Sequence, residues 1–227
     1  MKLFVTLSRS VLVYLVLCAA TFLMLRVILD YTAFRDDVDF LRFKQAYVGF
    51  WWWKSAFYVH VFTSIGALLT GPVQFSKRFL RDHRSWHRII GRIYVWDILA
   101  INVPAGMVLA VCANGLLPGR TAFVLLDSLW FAFTFTAVTA ARRGQIARHR
   151  EFMIRSYAMT FSAITLRSWK IILSHSFRID PVHLYMMEAW MGFVPNLLVA
   201  EWWIRNYIRQ ERSPVRAVVP IAQSGRP

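Results

Sequence analysis

Six apolar stretches run through this chain, each close to the twenty or so residues a helix needs to cross a bilayer's hydrocarbon core. The positive charge is gathered in alternate gaps between them. We read the spans as Val11–Asp30, Ser55–Phe75, Ile89–Ala113, Thr121–Ala141, Met153–Ser174 and Leu184–Ile204. Hydrophobic residues make up 57% of the chain and charged residues 17%, against about 25% charged in soluble domains. The expected fold is therefore all-α: a polytopic, six-transmembrane-helix bundle. It is expected to form one membrane domain over residues 1–212, followed by a polar, disordered cytoplasmic tail over 213–227.

Charge fixes the expected orientation. One side collects Lys2 and Arg9, six cations between Lys77 and Arg92, five between Arg142 and Arg155, and five between Arg205 and Arg226, in all 18 of the 27 basic residues. The other side has six, Arg35, Arg42, Lys44, Lys54, Arg120 and Arg178, together with Asp36, Asp37, Asp39 and Asp180. The positive-inside rule places both termini in the cytoplasm. The net charge of +15 then reads as topology signal and contact with anionic lipid, not as a nucleic-acid surface. The apolar run behind Lys2 and Arg9 continues through Leu29 without a small-residue cleavage site, which predicts an uncleaved first helix. Cys18 and Cys112 stand alone and give no disulfide framework, zinc site or covalent haem motif.

Aromatic residues mark the interfaces. Trp51–Trp53 should stand just outside the second helix and Trp202–Trp203 at the inner end of the sixth. The loop from Tyr31 to Lys54 alternates charge with Phe34, Phe40, Leu41 and Phe43, which predicts a short helix lying on the membrane surface. Gly71-Pro72 should bend or end the second helix, and Pro104 and Pro195 should kink the third and sixth.

Ionisable groups inside the spans are costly and normally face the bundle interior or water. In the fifth span Ser156, Thr160, Ala163, Arg167, Lys170 and Ser174 recur at spacings of three or four, which puts two cations on one face in the outer half. The second span carries a similar stripe through His60, Thr63, Ser64 and Gln74. Asp127 and Glu188 also fall in the outer half, so His60, Asp127, Arg167, Lys170 and Glu188 form a candidate buried polar pocket. An Arg167–Asp127 pair is the expected way to neutralise the guanidinium. A ligand-free brace between helices is the alternative reading of the same charges.

A second set lies at the inner face. Trp86-His87-Arg88 opens the third helix and His149-Arg150-Glu151 the fifth, so two histidines sit at matched depth, each followed by arginine. Two such imidazoles can ligate a haem b axially, with Arg88, Arg92, Arg150 and Arg155 beside its propionates. They can equally grip lipid phosphate. Asp97, one turn beyond Tyr94, is placed to pair with Arg92 or Arg155.

Three segments carry a resemblance: Gly71-Pro72-Val73-Gln74-Phe75, His87-Arg88-x-x-Gly91-Arg92-x-Tyr94, and His149-Arg150-x-x-Met153-x-Arg155-Ser156-Tyr157-Ala158-x-Thr160-Phe161. Together they resemble a bacterial family of predicted membrane proteins of unknown function. The resemblance implies a multi-helix inner-membrane protein and assigns no reaction. The chain is also similar, more distantly, to transmembrane b-type cytochromes of the b561 and ferric-reductase kind, which hold histidine pairs near both faces. His87 and His149 supply an inner pair. An outer pair has only His175 or His183 to join His60.

Three function classes follow. One is an electron-transfer component using haem b or a quinone, with a redox partner. Another is a transporter or sensor for a small molecule or anion, using the outer pocket. The last is a structural membrane subunit. No HExxH, nucleophile elbow or phosphate loop is present, so hydrolase and transferase chemistry has no motif.

Overall fold

The computed structural model describes residue 19 and residues 21–209, so the expected beginning of the first span and the expected tail lie outside the described residues. Every regular element described is helical. Residues 21–30 are helical (α1). They are followed by α2 (Trp51–Gln74), α3 (Lys77–Asp82), α4 (Arg84–Trp96), α5 (Val103–Val111), α6 (Leu116–Arg142), α7 (Ile146–Thr160), α8 (Ser162–Ser176) and α9 (Pro181–Trp203). Among the described residues, two helices are long and apolar enough by themselves to cross a membrane. They are the continuous run Arg84–Val111, made of α4, a π-helical segment and α5, and Leu116–Arg142. The other expected spans are helical over their described residues but do not reach that mark. The fifth, for instance, is split at Phe161 into two pieces of 15 residues.

The ends have local causes. Ser76 Oγ accepts from Phe79 N at 3.2 Å and starts α3. Asp180 accepts from Val182 N at 2.9 Å, with Pro181 at the first helical position of α9. Gly71-Pro72 does not end α2, which runs on to Gln74. Pro104 acts differently from a simple kink. It offers no N–H to the preceding turn, and over Asp97–Asn102 the helix widens to π geometry, with Val103 N donating to Ile98 O. At Phe161 the helix breaks among hydroxyl side chains that bond back to their own turns, Thr160 to Ser156 O and Thr165 to Ser162 O. Asn196 of α9 reaches into the break, donating to Ala158 O at 3.3 Å and to Thr165 Oγ1 at 2.9 Å.

The helices pack as α6 on α7, α8 on α9, α5 on α6, and α2 on the π segment. Their shared core joins Tyr94, Ile98, Trp130, Met159 and Phe193 with Ala67, Ala122 and Ala189, small residues that let helices approach closely. The outward faces are also apolar: Ile93, Trp96, Leu117, Ile171, Leu198 and Val199 are each more than half exposed. A continuous apolar exterior suits lipid and not water.

The loop after α1 is not a helix lying on a surface. It folds through short 3-10 turns at Tyr31–Ala33 and Asp39–Lys44 into a cap with its own core of Tyr31, Leu41, Val48, Trp53 and Phe57. Trp51–Trp53 forms the first turn of α2 instead of standing outside it, and Trp53 is fully buried, stacked on Phe57 at 5.6 Å. Lys44 is buried with it. Its Nζ donates to Cys112 O at 2.5 Å and to Asn114 Oδ1 at 2.8 Å, which ties the cap to the α5–α6 turn.

Candidate functional site

The three sequence motifs converge on one contact web. Gly71 lies under the ring of Tyr157, where a Cβ would come within 1.8 Å of a ring carbon. The Tyr157 hydroxyl donates to Leu68 O at 3.0 Å, and Phe75 meets the same ring edge-on. Gln74 donates to the His87 carbonyl at 3.1 Å and lies against Gly91. Tyr94 Oη is 2.9 Å from Ser156 Oγ and 3.0 Å from Thr160 Oγ1, and Ser156 is 2.7 Å from Thr134 Oγ1. Hydroxyl donors and acceptors are thus satisfied inside an apolar bundle where water cannot replace them.

Arg155 is not available to a propionate, and it does not pair with Asp97. Its guanidinium meets Glu201 through two hydrogen bonds of 2.5 and 3.0 Å, lies 3.9 Å from Glu151, and stacks over Phe152. Arg209 adds a contact of 3.4 Å to Glu151. Sequence reasoning passed over Glu151 and Glu201, although both lie at the depth of Arg155. Asp97 accepts from Asn102 Nδ2 at 2.8 Å instead of from an arginine. Arg88 is exposed, and Arg92 lines a groove between α2 and α4.

The two inner histidines do lie within electrostatic range of one another. His149 Nδ1 is 2.9 Å from the Ala137 carbonyl oxygen. That contact puts the ring proton on Nδ1 and leaves Nε2 with its lone pair. His87 Nδ1 is buried and has no hydrogen-bond partner. His149 thus has the oriented ring that metal-ligating histidines usually show, and His87 offers a buried ring nitrogen still without a partner. Among the described residues no group of three or more His, Cys, Asp and Glu is placed to hold a metal ion directly.

The outer set is not gathered in the same way. No hydrogen bond or ion pair joins His60, Asp127, Arg167, Lys170 and Glu188 to one another among the described residues. Arg167 does not pair with Asp127. It donates to Ala163 O of its own helix at 2.8 Å, and the acid that acts on it is Asp39 of the cap, alongside Tyr31. Asp127 is buried beneath Gly106, where a Cβ would fall 2.8 Å from its Oδ2. Glu188 is buried and feels Lys170, whose ammonium lies over the Phe43 ring. His60 Nδ1 lies 3.2 Å from the Asn102 carbonyl oxygen, while His175 and His183 are exposed.

A family model described as predicted membrane protein (DUF2306) matches residues 57–204. The chain belongs to that family. The DUF2306 stretch contains the whole motif web, both inner histidines and the Arg155–Glu201 pair, whereas the cap from Tyr31 to Lys54 lies outside it. No curated protein and no solved structure matches the chain.

Proposed function

We propose that this membrane protein is a b-type haem electron-transfer component of the bacterial inner membrane, with His87 and His149 as the axial ligands. The six expected spans would cross the bilayer with both termini at the basic, cytoplasmic side, as the 18-to-six division of cations supports. The observation that carries the reading is the state of the two imidazoles. His149 is oriented by the Ala137 carbonyl with Nε2 free, and His87, within its electrostatic reach, has a buried ring nitrogen with no partner. A haem held there supplies a one-electron carrier, and two neutral imidazoles suit a low-spin centre. Arg88 is the cation placed to meet a propionate, since Arg155 is committed to Glu201. The remaining motif residues do packing work: Gly71, Gln74, Gly91 and Tyr94 hold the helices that present the two histidines. The outer set offers transport less support: His60 lies within range of Arg167 and Glu188 within range of Lys170, but no hydrogen bond or ion pair gathers the five around one space.

The test is a spectrum of the detergent-purified protein from haem-supplied cells, oxidised and then dithionite-reduced. The expected result is a Soret band that sharpens and shifts on reduction, and is lost in both His87→Ala and His149→Ala. Colourless, folded wild-type protein would sink the proposal.

A further inference from the structure

Between α2 and the run Arg84–Val111 lies a lateral groove of about 620 Å³. Its walls are apolar, with Phe62 and Ile65 on one side and Ile93 and Trp96 on the other. Ile93 and Trp96 are more than half exposed, so the groove opens outward from the bundle toward lipid. Two charged side chains line it, Asp97 and Arg92. Asp97 lies about 20 Å along the helix from Arg84, near the midpoint of a 28-residue run. A carboxyl at that depth is expensive and calls for a partner.

Half of that requirement is met. Oδ1 accepts from Asn102 Nδ2 at 2.8 Å across the π segment, and the Asn102 carbonyl is held in turn by His60. Oδ2 is buried and makes no hydrogen bond of ordinary geometry, although Thr63 and the Ala67 N–H act on the carboxyl from α2. Thr63 faces it from α2 but gives its hydroxyl hydrogen to Val59 O at 2.8 Å. Opposite stands Gly66, where an added Cβ would meet nothing nearer than Asp97 Oδ2 at 3.9 Å. A fixed carboxyl therefore faces a space that a glycine leaves open, with a guanidinium farther along the same groove.

We propose that this groove binds a lipid-soluble quinol: an apolar tail along the Ile93–Trp96 wall, one head hydroxyl donating to Asp97 Oδ2, and the second head oxygen accepting from Arg92. The tail matches the apolar walls and their lateral opening. A head that offers both a donor and an acceptor matches one free carboxylate oxygen and one cation, whereas a purely cationic head would be repelled by Arg92 and a purely anionic one by Asp97. The assignment goes beyond the haem reading and does not depend on it, because the readout is binding.

The test uses the full chain in phosphatidylcholine nanodiscs free of quinones. A decyl-tailed benzoquinol is titrated in, and thermal stabilisation and tryptophan fluorescence are followed, Trp96 being in the wall. Saturable binding is expected, weakened about tenfold or more in Asp97→Ala, as befits loss of a hydrogen bond to a charged group. Gly66→Leu and Ile93→Trp fill the groove from opposite walls and should abolish binding, with the folding of each variant checked by its ligand-free melting transition. Farnesol, an isoprenoid alcohol with a single oxygen, separates a quinol from a simple lipid alcohol, and weaker binding of farnesol supports the proposal. Equal binding of farnesol, undiminished binding in both filled variants, or no saturable binding to wild type would each overturn it.

Discussion

At the inner end Arg155 shares its guanidinium between Glu201 and Glu151, while in the outer half Arg167 has only a carbonyl of its own helix within hydrogen-bonding distance. The first cation joins α7 to α9 and, through Arg209, to the π-helical end of α9. The second joins nothing directly. The same residue type in one continuous region, separated by three helical turns, is a clamp in one place and a solitary charge in the other. The acids decide which. Glu201 is close enough to form a two-pronged contact, whereas Asp127 is turned under Gly106 and Asp39 acts on Arg167 only from the cap. The inner half is thus fixed by pairs across helices, and the outer half is held chiefly by the cap that sits on it.

The largest expected effect tests this contrast directly. Arg155→Leu takes the two-pronged cation from Glu201 and one of the cations beside Glu151, and should cost about 3–5 kcal/mol. Arg167→Leu removes a bond to an already helical carbonyl and should cost about 1 kcal/mol or less. Unfolding of both variants in mixed detergent micelles measures the difference, and equal costs would break the comparison. A smaller effect is expected at the motif web. Gly71→Ala drives a methyl into the Tyr157 ring and should cost about 1–3 kcal/mol, as overpacking usually does. The companion Gly66→Ala has room and should be neutral or slightly stabilising by helix propensity. The two measured side by side separate close packing from helix propensity.

The smallest effect belongs to the cap. Burial pushes the Lys44 ammonium down from the ordinary 10.5 to about 8, with the Cys112 side chain opposing the depression and Arg120 adding to it. A depressed base makes the folded state prefer the neutral form. Below about pH 8 both states are protonated and the penalty is complete and constant. Between about 8 and 10.5 the unfolded cap still holds its proton while the folded one has released it, so stability should rise with pH across that window. Hydrogen exchange of residues 39–48 at pH 7.5 and 9.5 checks the sign, and Lys44→Met should flatten the trend.

The helices themselves could be read from apolar run length, because twenty apolar residues in succession leave few other structures. The motif residues could be singled out from sequence but their roles could not. Nothing in Gly71-Pro72 says that a tyrosine eighty-odd positions away fills the space above the glycine. Depth arguments brought Arg167 and Asp127 to the same level and failed to pair them, because depth leaves the azimuth of each helix undetermined. Asn102 escaped notice inside an apolar run, yet it orients Asp97 and receives His60. The cap was misjudged for a related reason. Alternating charge and aromatic residues suits a surface helix, but only the tertiary structure shows Lys44 finding two acceptors and Trp53 finding a core.

The Lys44 staple has a consequence for biosynthesis. Its acceptor carbonyl lies 68 residues farther along the chain. At about 5–20 residues per second, several seconds of synthesis separate the emergence of the lysine from that of Cys112. Throughout that interval the lysine lacks its acceptor, and the aromatic cap around it has no floor. Seating the cap therefore comes after synthesis of the third helical run, which makes it a late checkpoint: a chain stalled before Cys112 would leave Tyr31, Trp53 and Phe57 without the surface that the completed molecule supplies.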